Sequence, residues 1–320
     1  MASTSNGHGS NGTNTSRSTS PSALITGGAS GMGLSVATHL VSQGWNVCIV
    51  DFNETSGQEV AERLGKQAQG QDHVQFVKVD VTDYEQQAKA FVETWARWGR
   101  LDFVFANAGF GDKQDFYAQA EERADGSPAK PNISVIDVCL LGVVYSAFLA
   151  LHYFRKNDGK KGKLVSTSSL CGLYPGEGIP LYTAAKHGVV GLTRAMARKL
   201  AQSGESITVN CICPGDPMWL SGNLLLINAL REGLVDTGLT PVLMAVSPPE
   251  YVTPHTTIVK AVTSFLDDDS KNGLAAECSG ENVHYRVQQE FGDDKAEWIM
   301  TTSFERLWAK RKEEEEGKGK

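Results

Sequence analysis

At 320 residues and 41% hydrophobic content, the chain can bury the core of one large domain or two small ones, which excludes a disulfide-stapled mini-protein. Its 37 acidic and 30 basic residues leave a formal charge of −7 with no Lys/Arg stripe through the body, so nucleic acid is not an expected partner. Six scattered cysteines (Cys48, Cys139, Cys171, Cys211, Cys213, Cys278) lack the spacing of a structural zinc site and read as reduced, buried thiols.

Ser, Thr, Asn and Gly fill 16 of the first 20 positions. This reads as a disordered leader over residues 1–21 rather than a secretory signal, and the protein is expected in the cytoplasm. From Ser22 onward, short apolar runs alternate with helical patterns: strands over 23–26, 47–51 and 74–80, with helices over 33–41, 55–64 and 84–98 between and after them. The rhythm continues with strands at 102–106, 163–168 and 207–213 and helices at 134–154 and 180–200. Thr253 is placed as an N-cap with Pro254 opening a helix to about 266, and a seventh strand is expected near 275–278. The alternation predicts an α/β fold, a doubly wound parallel sheet with helices on both faces.

No segment is expected to be long and apolar enough to span a bilayer, which takes roughly 20 residues; the nearest run is 139–151. The helix over 134–154 is apolar on nearly every face and must be covered on both sides. A second subunit is the expected cover, giving a homodimer or homotetramer, with the chain's own C-terminal extension as the competing one. That extension, 281–320, keeps Tyr285, Phe291, Trp298, Ile299 and Trp308 and is expected to dock in part, ending in a charged, disordered run over 310–320.

Between the first strand and first helix lies Thr26-Gly27-Gly28-Ala29-Ser30-Gly31-Met32-Gly33. Glycines there let the backbone turn tightly and approach a pyrophosphate, whose charge sits on the helix N-terminus; Gly27, Ser30, Gly31, Met32 and Gly33 are the expected contacts. Asp51 ends the second strand, where a carboxylate accepts from an adenosine ribose diol and repels a 2′-phosphate. No Lys or Arg lies in 26–33, and Phe52 and Asn53 follow Asp51, so NAD is expected and NADP is disfavoured. Asp80, with Val81, ends the third strand beside the adenine position, and Asn107-Ala108-Gly109 closes the fourth as a support beneath the cofactor.

Tyr182 and Lys186 stand one helical turn apart on one face. A cation within about 4–6 Å typically lowers an acid's pKa by about 1–3 units, which brings a phenol toward the working pH. Ser169, ending the fifth strand, is placed to hold a substrate oxygen. Tyr-x-x-x-Lys alone occurs widely by chance; its weight here comes from its series with the glycine turn, Asp51 and Asn-Ala-Gly.

At these residues the chain resembles the short-chain dehydrogenase/reductase family over roughly 22–279. The resemblance implies a Rossmann fold with strand order 3-2-1-4-5-6-7, hydride transfer at nicotinamide C4, and homodimers or tetramers. By the same resemblance Tyr182 is the general acid/base, Lys186 lowers its pKa and binds the nicotinamide ribose, and Ser169 orients the substrate oxygen. The run over 131–156, with Leu-Ala-Leu-His-Tyr-Phe-Arg, is similar to a fungal hydroxyprostaglandin-dehydrogenase-like branch. Three positions depart from the family pattern: Cys139 stands where it has a catalytic Asn, and Pro217 and Trp219 stand where a Val and a Thr anchor the nicotinamide amide, with Ser221 as a nearby substitute.

In this family the segment over 216–252 folds over the substrate. Here it is rich in Leu, with Trp219, Ile227, Val242, Met244 and few charges, which favours a large apolar secondary alcohol or ketone. The expected function is therefore NAD-dependent interconversion of such a pair, as a tailoring step in secondary metabolism. Dehydrogenation of a lipid, prostaglandin-like or steroid alcohol is an alternative, and so is a nucleotide-binding scaffold or regulator with weak turnover.

Overall fold

The computed structural model describes residues 17–68, 71–215 and 252–318. Of the expectations above, residues 1–16 of the leader and the segment over 216–251, with Pro217, Trp219 and Ser221, lie outside the described residues. The chain divides into two compact units, Met1–Arg286 and Val287–Lys320.

In the first unit, β1 (Ser22–Thr26), β2 (Asn46–Asp51), β3 (Val74–Lys78), β4 (Phe103–Ala106), β5 (Lys161–Thr167), β6 (Ser206–Pro214) and β7 (Ala275–Ser279) pair in parallel. The central strands β1 and β4 are buried along their whole length, as a parallel sheet covered on both faces requires. Helices α1 (Gly31–Ser42) and α2 (Glu54–Gln67) cover one face, and α3 (Tyr84–Trp98), α4 (Ser134–Phe154) and α5 (Pro180–Gln202) cover the other. A further helix, α6 (His255–Asp267), joins the α1 side.

Sheet order is 3-2-1-4-5-6-7-8, so the winding direction reverses between β1 and β4. A ligand crevice is expected beyond the carboxyl ends of the strands at such a reversal. The last strand, β8 (Asn282–Arg286), is antiparallel to β7 and lies beyond the seven foreseen. Its residues are mostly exposed and polar, so it carries no buried-strand pattern for the sequence to reveal.

Local sequence starts and stops several of these elements. Asp83 caps α3 by accepting from the N–H groups of Glu85 and Gln86, Gln86 donates its side-chain amide back to Asp83, and Gly99 (φ +65°) ends the helix. Each such cap contributes about 1 kcal/mol. The N-cap expected at Thr253 is one residue out: Pro254 caps α6, and the Thr253 hydroxyl instead accepts from Gly280 N–H and donates to Cys278 C=O. The same Cys278 carbonyl accepts from Gly215 N–H at 2.6 Å, so the two ends of 216–252 converge on one atom of β7.

Two further expectations are corrected. The end of the leader is tied down: Ser18 N–H donates to Trp98 C=O, and Arg100 donates to the Ser18 and Thr19 carbonyls. And α4 is a continuous helix over Ser134–Phe154, long and apolar enough by length and composition to cross a membrane, with just under half of it buried in the fold. A π-turn at Asp137–Leu141 is built into it. Counting the apolar run from Cys139 alone misses the turns before it. Outward from α4, Leu141 and Phe148 are exposed, Phe148 by 63%, with Val144 and Tyr145 half-buried in the same stripe.

The second unit holds α7 (Asp294–Trp298), capped by Asp293, a π-turn at Ile299–Ser303, and α8 (Phe304–Lys318). The charged end expected to be disordered is helical to Lys318, in keeping with the helix propensity of Glu and Lys. All six cysteines are free and buried.

Candidate active site

The glycine turn closes against its neighbours at backbone distance. Gly27 has φ +64°, and a Cβ on it would lie 2.9 Å from Ala108 Cα; a Cβ on Gly33 would lie 2.1 Å from Gly27 O. Only glycine allows α1 to press this closely on the turn. Ser30 is the exposed N-cap of α1, and its side chain makes no capping bond. Met32 packs its side chain against the core beneath, so what it offers a ligand is its main chain.

Asp51 ties the end of β2 to this turn. One oxygen accepts from Ala29 N–H at 3.0 Å and the other from Asn53 N–H at 3.0 Å, and each carboxylate oxygen retains a second lone pair. Lys78 stands beside Asp51 in register on β3, a cation the sequence reading did not place; its ammonium pairs with Glu54 at 2.9 Å. Asp80 closes a turn on Thr82, accepting from that residue's N–H and hydroxyl, which holds its carboxylate at the strand end. Val81 is buried, against Gly142 of α4.

Asn107 connects this half of the crevice to the other. Its side-chain amide donates to the carbonyls of Thr26 and Gly27, its side-chain oxygen accepts from the Thr167 hydroxyl, and its N–H donates to Thr26 Oγ1. Beyond β5, Ser169 is extended and caps a short 3-10 turn, Leu170–Gly172, with Oγ accepting from Cys171 N–H at 3.1 Å. Its hydroxyl hydrogen is left for another acceptor.

Lys186 is only 2% exposed, and its Nζ donates to Thr167 C=O at 2.8 Å and lies 5.3 Å from the centre of the Tyr182 ring. Ser168 reinforces the joint by donating its hydroxyl to Lys186 C=O. Tyr182 is half-buried and packs beside Val135, Cys139, Ala185 and Phe110. Thus Ser169, Tyr182 and Lys186 gather around the end of β5, the glycine turn and Asp51 gather at β1–β2, and Asn107 bridges the two groups.

Cys139 lies in the π-turn of α4 and faces the same place: a Cβ on Gly109 would lie 3.1 Å from its Sγ and 3.5 Å from Lys186 Nζ. The thiol is fully buried and donates to Phe110 C=O at 3.2 Å. One participant escaped the sequence reading. Asp112 accepts from Tyr182 N–H at 2.8 Å, across 70 positions of sequence, and no local pattern announces so distant a partner. Burial pushes its carboxyl above the ordinary carboxylate value, against the opposing bonds from the N–H groups of Tyr182 and Leu181.

The family model described as short chain dehydrogenase matches residues 21–217. The chain belongs to the short-chain dehydrogenase family. It is 32% identical over 260 residues to the short-chain dehydrogenase/reductase prx6 of Penicillium rubens, covering 80% of this chain and 79% of the relative. To prx7 of the same organism it is 34% identical over 293 residues, 84% and 95% of the two chains. Human 15-hydroxyprostaglandin dehydrogenase [NAD(+)] is 34% identical over 196 residues, 60% of this chain and 66% of that one. Among solved structures, levodione reductase superposes with a TM-score of 0.64 at 26% identity, over 82% of this chain and 98% of the other. As a member of this family the chain is an oxidoreductase of the alcohol dehydrogenase/ketoreductase kind, and the family's coenzyme is NAD(P).

Proposed function

We propose that the chain interconverts a hydrophobic secondary alcohol and its ketone with NAD, using Tyr182 as proton carrier. The observation that carries this reading is the buried Lys186 ammonium, fixed on Thr167 C=O and set 5.3 Å from the Tyr182 ring, with Ser169 at the same strand end. The backbone-close glycine turn and the Asp51 carboxylate fit a dinucleotide: the turn and the N-terminus of α1 would hold its pyrophosphate, and Asp51 its adenosine ribose. When bound, the coenzyme supplies the hydride acceptor.

The remaining chemistry belongs to this chain's side chains. Ser169 donates its hydroxyl hydrogen to the substrate oxygen, while Cys171 N–H on one of its two lone pairs holds the oxygen in place. Tyr182 takes the alcohol proton as the carbonyl forms, and returns it in the reverse direction. Lys186 has donors left beyond the one on Thr167 C=O, and these would hold the nicotinamide ribose and stabilise the phenolate.

NAD rather than NADP is supported by the Asp51 carboxylate and by the pairing of Lys78 with Glu54. The apolar composition of 216–252 and the likeness to a dehydrogenase named for a hydroxyprostaglandin both support a large apolar substrate, as in a lipid alcohol or a secondary metabolite undergoing tailoring. A second copy of the chain is the cover we assign to the outward stripe of Leu141, Val144, Tyr145 and Phe148 on α4. Activity is tested by following NADH absorbance with a panel of hydrophobic secondary alcohols and ketones, beside NADH fluorescence binding. Binding without turnover across that panel, or faster turnover with NADPH, contradicts the proposal. Sedimentation of the wild type as a monomer contradicts the paired state.

A further inference from the structure

Helix α5 begins without a cap of its own. Ile179, at the N-cap position, has no side-chain oxygen, Pro180 has no N–H, and the N–H groups of Leu181 and Tyr182 are the first donors without a partner inside the helix. The acceptor comes from the loop after β4: Asp112 Oδ1 receives Tyr182 N–H at 2.8 Å, and the carboxylate also takes the Leu181 N–H. Asp112 is only 6% exposed, and its Oδ2 is buried with no hydrogen-bond partner among the described residues. A serine at position 179 would cap the turn locally and avoid that buried oxygen. What the distant carboxylate adds is a link between loop and helix: residues 109–112 carry the close approach of Gly109 to Lys186 and, three residues on, the acceptor for Tyr182.

We propose that Asp112 is a positioning residue for the reaction, holding the first turn of α5 by its main chain so that the Tyr182 phenol stands in working geometry with Lys186 and Ser169. The proposal rests on the reading of Tyr182 as proton carrier. The titratable groups that face Asp112 are Tyr182 of α5, at its main chain, and the buried Cys171 thiol of the turn after β5; Lys113, next in the chain, is exposed and sets its ammonium over the Phe110 ring. The Asp112 carboxyl thus meets Tyr182 at its main chain, as the acceptor of its N–H.

Steady-state kinetics of Asp112→Ala, Asp112→Ser and Asp112→Asn, each with a pH profile of kcat, tests this. Asp112→Ala, lacking the acceptor, loses about 10- to 100-fold in kcat through misplacement of the phenol, while KM for NAD and NADH binding stay near wild type. Asp112→Asn keeps an acceptor oxygen for the Tyr182 main chain, so it recovers most of kcat and keeps the wild-type acid limb, whereas in Asp112→Ala that limb moves to higher pH as the phenol leaves the Lys186 ammonium. Asp112→Ser falls between them, and the Ser-to-Asn difference decides the matter if the alanine variant does not fold. Wild-type kcat in both Asp112→Ala and Asp112→Ser overturns the proposal, as does equal loss in the serine and asparagine variants. Tyr182→Phe, assayed alongside, separates the two readings: if it is inactive while Asp112→Ala is normal, only the Asp112 role falls, and if it is fully active, the Tyr182 reading falls first.

Discussion

On the β1–β3 side of the crevice, geometry is set by residues near one another in sequence and by missing side chains. Gly33 lies against Gly27, Asp51 reaches Ala29 across 22 positions, and Asn53 and Asp83 cap the helices that follow them directly. On the β5 side it is set by polar groups far apart in the chain: Asn107 to Thr167 across 60 positions and Tyr182 to Asp112 across 70. The glycine turn and Asp51 therefore take most of their shape from nearby chain, with Asn107 and Ala108 closing on Gly27 from β4, whereas the groups around Ser169, Tyr182 and Lys186 meet only once the sheet is closed. Binding and chemistry should accordingly respond to different substitutions.

The sharpest separation is expected from Tyr182→Phe, which removes the proton carrier and lowers kcat by about 10²- to 10⁴-fold. NADH binding, read by fluorescence, should stay within a few-fold of wild type. Parallel loss of binding would show that the two sides are one unit.

Gly33→Ala attacks the other side. Its Cβ meets Gly27 O at 2.1 Å, and both atoms belong to backbone that cannot rotate away. An overpacking cost of about 1–3 kcal/mol, expressed at the turn, is roughly 5- to 150-fold in NADH affinity. At saturating NAD the kcat should be little changed. Unaltered affinity would mean that the turn does not carry the dinucleotide.

Exchanging coenzyme is a smaller step. Asp51→Ser with Phe52→Arg exchanges a repelling carboxylate for a guanidinium at a position already 70% exposed, leaving the core untouched. One charge-assisted hydrogen bond, about 1.5–3 kcal/mol, should move the NADP-to-NAD ratio of kcat/KM upward by about 10- to 150-fold. A ratio that does not move would place the ribose acid elsewhere.

The smallest effect belongs to Cys139→Asn. The thiol is buried and spends its one donor on Phe110 C=O, so it fills space beside Lys186. Restoring the family's residue should change kcat by at most about twofold and leave the solvent isotope effect as it is. A clear rise in kcat would show that the wild-type proton route is impaired at this position.

The same contrast explains what could be read in advance. The glycine turn, Asp51, Asn107, Ser169, Tyr182 and Lys186 were legible because each sits at the end of a strand or the start of a helix, and buried strands such as 22–26 and 103–106 announce those ends as apolar runs. Asp112 was not, since its partner is remote and an Asp after Gly111 looks like any loop residue. Strand β8 was not, because Asn282, His284 and Arg286 show no buried period and the strand exists through pairing with β7. The π-turn of α4 was missed as well: its residues have the same apolar composition as the α-helical turns around it, and only the hydrogen-bond step differs.

Gly215 and Thr253 meet at one carbonyl of β7 before any residue between them is considered. Both flanks of 216–252 are thus held by β7 itself, and bringing two chain ends together carries an entropy cost that rises by only about 0.6 kcal/mol for each doubling of the chain between them. Ser169, Tyr182 and Lys186, by contrast, hang from the end of β5 and from α5. The fold thus gives the flanks of 216–252 and the groups proposed to move the proton separate points of attachment, one on β7 and the other on β5 and α5.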